Sequence, residues 1–218
     1  GANVGFEVDL VNAVAEKLGR GVEIVNIPFQ GLFSAVQSGR VDIAMSSITI
    51  TQERLESVTF AQPYYDSDQS LTVAADGPAS LDEMSGKVVG VDTGSTGDMW
   101  ATENAAEYGF ATINRYEGLA PAMLDLAAGR IAGYISDIPA LQYYVKDKPE
   151  LKVVQRIATG EAYSMMFAKD APLATEVNDV LSALKEDGTV AALHEKWFGA
   201  TPEDTTSTVT VMDMPTLN

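Results

Sequence analysis

Met45-Ser-Ser-Ile-Thr-Ile-Thr-Gln-Glu-Arg54 is the stretch on which the fold turns. Val41, Ile43 and Met45 ahead of it read as the end of a buried strand. Thr51 is placed to cap a short helix that carries Arg54 in its first turn. A cation at a helix N-terminus opposes the helix dipole, so capping alone does not explain the arginine. A planar guanidinium does match a carboxylate bidentately, and the hydroxyls of Ser47 and Thr49 stand close in sequence. The plainer alternative is a surface arginine in a Ser/Thr-rich loop, since most exposed charges contribute little.

Outward from this segment, short apolar strands alternate with amphipathic helices. Phe6, Leu10, Val11, Val14 and Leu18 share one helical face that stops at Gly19. Strands are predicted at Val22–Ile27, Val41–Met45, Leu71–Ala75, Lys87–Val91, Ile131–Ile135, Leu151–Val154 and Ser164–Ala168. Helices are predicted at Leu32–Ser38, Asp98–Tyr108, Ala120–Ala128 and Pro139–Val145, with a short capped one after Ser80. A last helical region carries Val177, Val180, Leu181 and Leu184, breaks at Gly188 and resumes through Leu193 and Trp197. This βαβα order defines an α/β protein with mostly parallel sheets, whose ligands bind beyond the carboxyl ends of strands. Ser46–Thr49 and Asp92–Thr96 both follow strands directly.

Composition narrows the function. Fourteen Lys and Arg against 31 Asp and Glu give a net charge of −17, which argues against nucleic acid and anionic membrane surfaces as partners. Without cysteine there is no disulfide, thiol catalysis or thiolate metal site, and the lone His194 builds no histidine cluster. No metal and no cofactor is expected. No apolar run reaches the length of a membrane span, and no signal peptide is read, so an exported protein is expected here in mature or trimmed form. Residues 201–218 form a Thr-rich, acidic tail without helical period.

Five segments, in order, resemble the polar amino acid-binding family of ABC-importer solute-binding proteins. They are Gly5-Phe-Glu-Val-Asp-Leu10, Ser47-Ile-Thr-Ile-Thr-Gln-Glu-Arg54, Phe60-Ala-Gln-Pro-Tyr-Tyr65, Gly90-Val-Asp-Thr-Gly-Ser-Thr-Gly97 and Ile135-Ser-Asp-Ile-Pro-Ala140. The resemblance implies a type II periplasmic-binding-protein fold, in which two α/β lobes joined by two hinge strands close on the ligand. Lobe one would comprise residues 1–73 and 167–218, lobe two residues 74–166, with Leu71–Ala75 and Ser164–Ala168 as the crossings. The family ordinarily has a strand ahead of the Gly5–Leu10 motif. Only four residues precede the motif here, so a gap in the lobe-one sheet is expected, and the alternating Thr208–Met212 is one candidate to fill part of it.

The resemblance also implies the site. Arg54 would grip the ligand α-carboxylate, joined by the helix start at Ser95 and Thr96. Asp137 would accept the α-ammonium with help from Ser46, Ser47 and Thr49. Phe29 would face the ligand side chain, as would Asp92 and Ser136. Each has a plainer reading: Ser95 and Asp137 as helix caps, Phe29 as core, Asp92 paired with a local amide, and Tyr64 and Tyr65 as hinge packing. A desolvated Asp92 would favour a polar or cationic amino acid. The function implied is a monomeric, periplasmic or extracellular receptor, cell-surface anchoring included, that hands its amino acid to an ABC-transporter permease. An alternative is a dehydratase-like enzyme on the same fold, with Asp137, Asp92 or Glu161 as general acid. A third is the ligand-binding module of a sensor or channel.

Overall fold

The computed structural model describes residues 3–218 and divides into two compact units. The first comprises 3–27, Gly31–Asp66 and Glu161–Asn218; the second comprises Pro28–Gln30 and Ser67–Gly160.

Helices dominate the first unit. Its helix α1 (Phe6–Leu18) buries Phe6, Leu10 and Val14, the stripe that the periodicity predicts. The helix ends at Gly19, whose left-handed backbone lets its N–H reach back to the last-turn carbonyls of Ala15 and Glu16. Helices α7 (Pro172–Glu186) and α8 (Thr189–Phe198) supply Val177, Leu181, Leu184 and Val190 to the same core, with Tyr64, Tyr163, Met165 and Phe167. In the first turn of α1, Asp9 accepts from Lys196 Nζ at 2.6 Å and Trp197 Nε1 at 2.8 Å, tying α1 to α8. Between these helices lie α2 (Leu32–Gln37), α3 (Gln52–Ser57) and β1 (Val58–Phe60). Strand β1 pairs antiparallel with a late strand, Met166–Ala168 (β7 in chain order).

Two predicted strands are absent. Val22–Ile27 forms no ladder, and Val41–Met45 makes only an isolated bridge from Ala44 to Met166. Both have strand composition, but a strand also needs a neighbour to take its backbone hydrogen bonds. Instead, the two segments flank a groove of about 460 Å³ in which Val22, Ile24, Val25 and Ile43 face Val8 and Val11 of α1. Thr208–Met212, the candidate to fill a gap in this sheet, does not line that groove.

The acidic tail lies along Gln62–Asp66 instead. Ser207 N–H donates to Asp66 Oδ2 (2.9 Å), Thr208 Oγ1 to the Tyr64 carbonyl (3.0 Å), and Met212 N–H to Gln62 Oε1 (3.1 Å). Lys185, only 4% exposed, pins tail and strand root together by donating to the carbonyls of Pro63 (2.6 Å) and Thr210 (2.9 Å). Burial lowers its pKa from 10.5 to about 8, against the attraction of Asp66. Between these two values the unfolded chain binds a proton that the folded chain does not, so this lysine makes stability rise with pH across that window. Urea titrations at pH 7.5 and 10 should show the wild type gaining, relative to Lys185→Met, about 2 kcal/mol. An unchanged difference between the two proteins would remove the lysine from the account.

The second unit is a five-stranded sheet, order β4-β3-β5-β2-β6. Its strands are β2 (Tyr65–Ala74), β3 (Val88–Asp92), β4 (Thr112–Tyr116), β5 (Gly133–Asp137) and β6 (Leu151–Tyr163). Strand β3 runs parallel to β4 and β5, whereas β2 pairs antiparallel with β5. Helices α4 (Thr96–Tyr108), α5 (Leu119–Ala127) and α6 (Ile138–Val145) connect and cover these strands. Apolar clusters form around Leu71, Val89 and Ile135 and around Met123, Leu126 and Tyr134.

Besides the short excursion at Pro28–Gln30, the chain passes between the units within β2 at Asp66/Ser67 and within β6 at Gly160/Glu161. The sequence expectation put the crossings on the apolar runs Leu71–Ala75 and Ser164–Ala168. Apolar runs mark where a strand enters a core, and the actual passages are polar: Asp66-Ser-Asp-Gln-Ser70 and Thr159-Gly-Glu161.

Candidate functional site

The first unit gathers Ser46, Ser47, Thr49 and Arg54. Thr51 caps α3 as predicted, its hydroxyl accepting from Arg54 N–H at 3.1 Å. This holds Arg54 in the first turn, where its side chain is 4% exposed, so it is not the surface arginine of the plainer reading. Its guanidinium donates from Nη1 to the Thr49 carbonyl at 2.7 Å and stacks 5.2 Å from the Phe33 ring centre. Thr49 Oγ1 donates to Glu161 Oε2 at 2.5 Å, and both residues are buried. Ser46 is exposed. Ser47 is held with φ +49°, and its N–H donates to Glu7 Oε1 at 2.7 Å. The same oxygen accepts the Tyr64 hydroxyl at 2.5 Å. Burial holds the Glu7 carboxyl above its ordinary value, although both donors pull it down.

The second unit gathers Phe29, Asp92, Ser95, Thr96, Ser136 and Asp137. Ser95 caps α4, accepting from Asp98 N–H at 3.1 Å, while its own hydroxyl and N–H both donate to the Asp92 carbonyl. Its capping reading therefore holds. A Cβ on Gly97 would come within 2.9 Å of the Ile135 carbonyl, so the first turn of α4 lies against β5 at a distance that only glycine permits. That contact places the Thr96 hydroxyl 3.2 Å from Gln69 Nε2, which also donates to Asp137 Oδ1 at 2.5 Å. Asp137 precedes α6 but makes no capping bond with its side chain, so the simple cap reading fails there. Ser136 lies opposite Ser70 in the β2–β5 ladder, and its carbonyl accepts from the Ser70 hydroxyl.

Asp92 corrects one step of the sequence argument. Its Oδ1 accepts from Gly118 N–H at 2.8 Å, so the carboxylate already has a backbone partner, as the local-amide reading expects. Burial still raises its pKa. It lies with Phe29, Gln30, Glu117 and Gly118 around one small pocket, which removes Phe29 from the plain core reading. Glu7, Gln69 and Glu161 were not marked as binding residues by sequence. Each meets its partner from a distance of 40 to 112 residues along the chain, which no local pattern reveals.

The chain belongs to the bacterial extracellular solute-binding proteins, family 3, which it matches over residues 1–200. It is 34% identical to the arginine-binding extracellular protein ArtP of Bacillus subtilis (strain 168), over 89% of this chain and 78% of that protein. Among solved structures, it is similar to an ancestral arginine-binding protein bound to arginine, with a TM-score of 0.85 and 34% identity, covering 91% and 90% of the two chains. It is likewise similar to the arginine-, lysine-, histidine-binding protein ArtJ of Geobacillus stearothermophilus, with a TM-score of 0.84 and 32% identity over 94% and 90%. The α/β, type II periplasmic-binding-protein class is thereby shown, as is membership among the amino acid-binding proteins of ABC transporters. Proteins of this family are extracellular solute binders rather than enzymes, and the dehydratase alternative finds no support among these relatives. Among the described residues no helix is long and apolar enough to cross a membrane, and no group of acidic and histidine side chains could hold a metal ion.

Proposed function

We propose that this chain is a non-enzymatic receptor for a cationic amino acid, arginine foremost. Arg54 takes the α-carboxylate with the helix start at Thr96, which Ser95 shapes. Asp137 takes the α-ammonium, with Ser46, Ser47 and Thr49 completing the shell. The observation that carries this reading is the buried Arg54, fixed by the Thr51 cap, the Thr49 carbonyl and the Phe33 ring at the end of a hydroxyl-rich turn. A guanidinium so placed is pre-organised for a planar anion.

The side-chain preference does not rest on a desolvated, unpaired Asp92, because its carboxylate already accepts from Gly118 N–H. Two carboxylates, Asp92 and Glu117, border the pocket that Phe29 shares, and Ser136 lies at the end of a neighbouring strand. An aromatic face beside acidic groups suits a guanidinium or ammonium. The named relatives bind arginine, lysine or histidine, which supports the same choice. The cargo is then passed to the permease of an ABC importer. The receptor works as a monomer outside the cytoplasmic membrane, free or anchored to the cell surface.

A competition assay tests the ranking. Arginine, lysine and histidine should displace a labelled ligand at lower concentration than glutamine, and glutamine below leucine or valine. Leucine outranking all three cations would overturn the preference while leaving the receptor reading in place.

A further inference from the structure

The acidic residue of the opening helix motif has no part in the ligand shell just described, yet it touches that shell. Glu7 stands in the first turn of α1, and its Oε1 accepts two hydrogen bonds. One comes from Ser47 N–H at 2.7 Å, and the other from the Tyr64 hydroxyl at 2.5 Å. Ser47 has φ +49°, a conformation that a residue with a side chain adopts only when its surroundings impose it. The only other described residue of this kind besides glycine is Asp170. Among the described residues no lysine or arginine forms an ion pair with Glu7. The carboxylate therefore serves two neutral donors, one of which is the backbone of the ligand-binding turn.

We infer that Glu7 is a positioning residue: its carboxylate holds Ser47 in the left-handed conformation and thereby aims the Ser46–Thr49 turn at the amino acid. The inference rests on the proposed amino acid site. Strain at a binding turn is commonly maintained by just such a fixed partner outside the site. The Tyr64 hydroxyl donates to the same oxygen, so the acceptor is held by a second donor besides the turn.

If Glu7 acts through the conformation of Ser47, removing the strain should remove the need for Glu7. Calorimetric titration with L-arginine should show Glu7→Met weakening binding about tenfold, because an amide left without its partner relaxes to an ordinary conformation. Glu7→Gln keeps an acceptor oxygen at the same reach and should recover part of that loss. In a Ser47→Gly background, where positive φ carries no penalty, adding Glu7→Met should cost less than about threefold. In amide NMR spectra recorded without ligand, the Ser47 proton should lie downfield in the wild type, as a carboxylate-bound amide does, and move upfield in Glu7→Met. Equal losses in the two backgrounds, or an unmoved Ser47 resonance, would overturn the inference and leave Glu7 a general stabiliser. If the wild type binds no amino acid, the proposed site falls, and the Ser47 resonance still decides whether Glu7 holds the turn.

Discussion

Arg54→Lys should lose most of the affinity for arginine although the positive charge is kept. A lysine ammonium is a point charge on a flexible stem and cannot present the paired, coplanar donors that a carboxylate accepts. It also forfeits the stacking on Phe33 and the bond to the Thr49 carbonyl that orient the guanidinium. Breaking a desolvated charge pair of this kind costs about 2–5 kcal/mol, or roughly 30- to 4,000-fold in Kd. Calorimetry should find the loss in affinity while the unliganded protein melts within a few degrees of the wild type. Binding by Arg54→Lys or Arg54→Ala at the wild-type level would remove this residue from the site.

Asp137→Asn should produce the second large effect, and a selective one. The amide nearly preserves the shape of the side chain and can still accept from Gln69 through its oxygen, so β5 and α6 should be undisturbed. What it loses is the negative charge opposite the ligand ammonium. Affinity for L-arginine should fall by about 2 kcal/mol or more, whereas that for the matching acid lacking the α-amino group should barely change. A double-mutant cycle between the protein change and the ligand change isolates this one contact. Equal losses for both ligands would show that Asp137 acts on the structure of the second unit instead.

Those two residues are proposed from motifs, whereas periodic patterns speak mainly to the fold. Periodicity located α1, α7 and α8, because each buries a stripe with its helical repeat intact. The Thr51 cap was legible because capping is decided within three residues. Val22–Ile27 and Val41–Met45 were misread because strand formation depends on a partner, and a sequence window contains only half of a ladder. The stretch Asp66–Ser70 carries no burial signal in sequence because it is polar, although Gln69 and Asp68 become buried once folded. Asp92 and Ser95 have chemistry that suits a ligand, and folding also gives each an internal partner, Gly118 N–H and Asp98 N–H. The Glu7–Ser47 bond joins positions 40 residues apart. Only folding brings such a pair together.

The central claim is that this chain grips a free amino acid by its carboxylate. Parallel calorimetric titrations with L-arginine and L-argininamide address it directly, because the two differ only in whether that carboxylate exists. The account predicts saturable one-to-one binding of L-arginine and a loss of about 30-fold or more for the amide, in keeping with removal of a desolvated charge pair. Equal affinity for the two compounds, or no heat of binding from either, would contradict it.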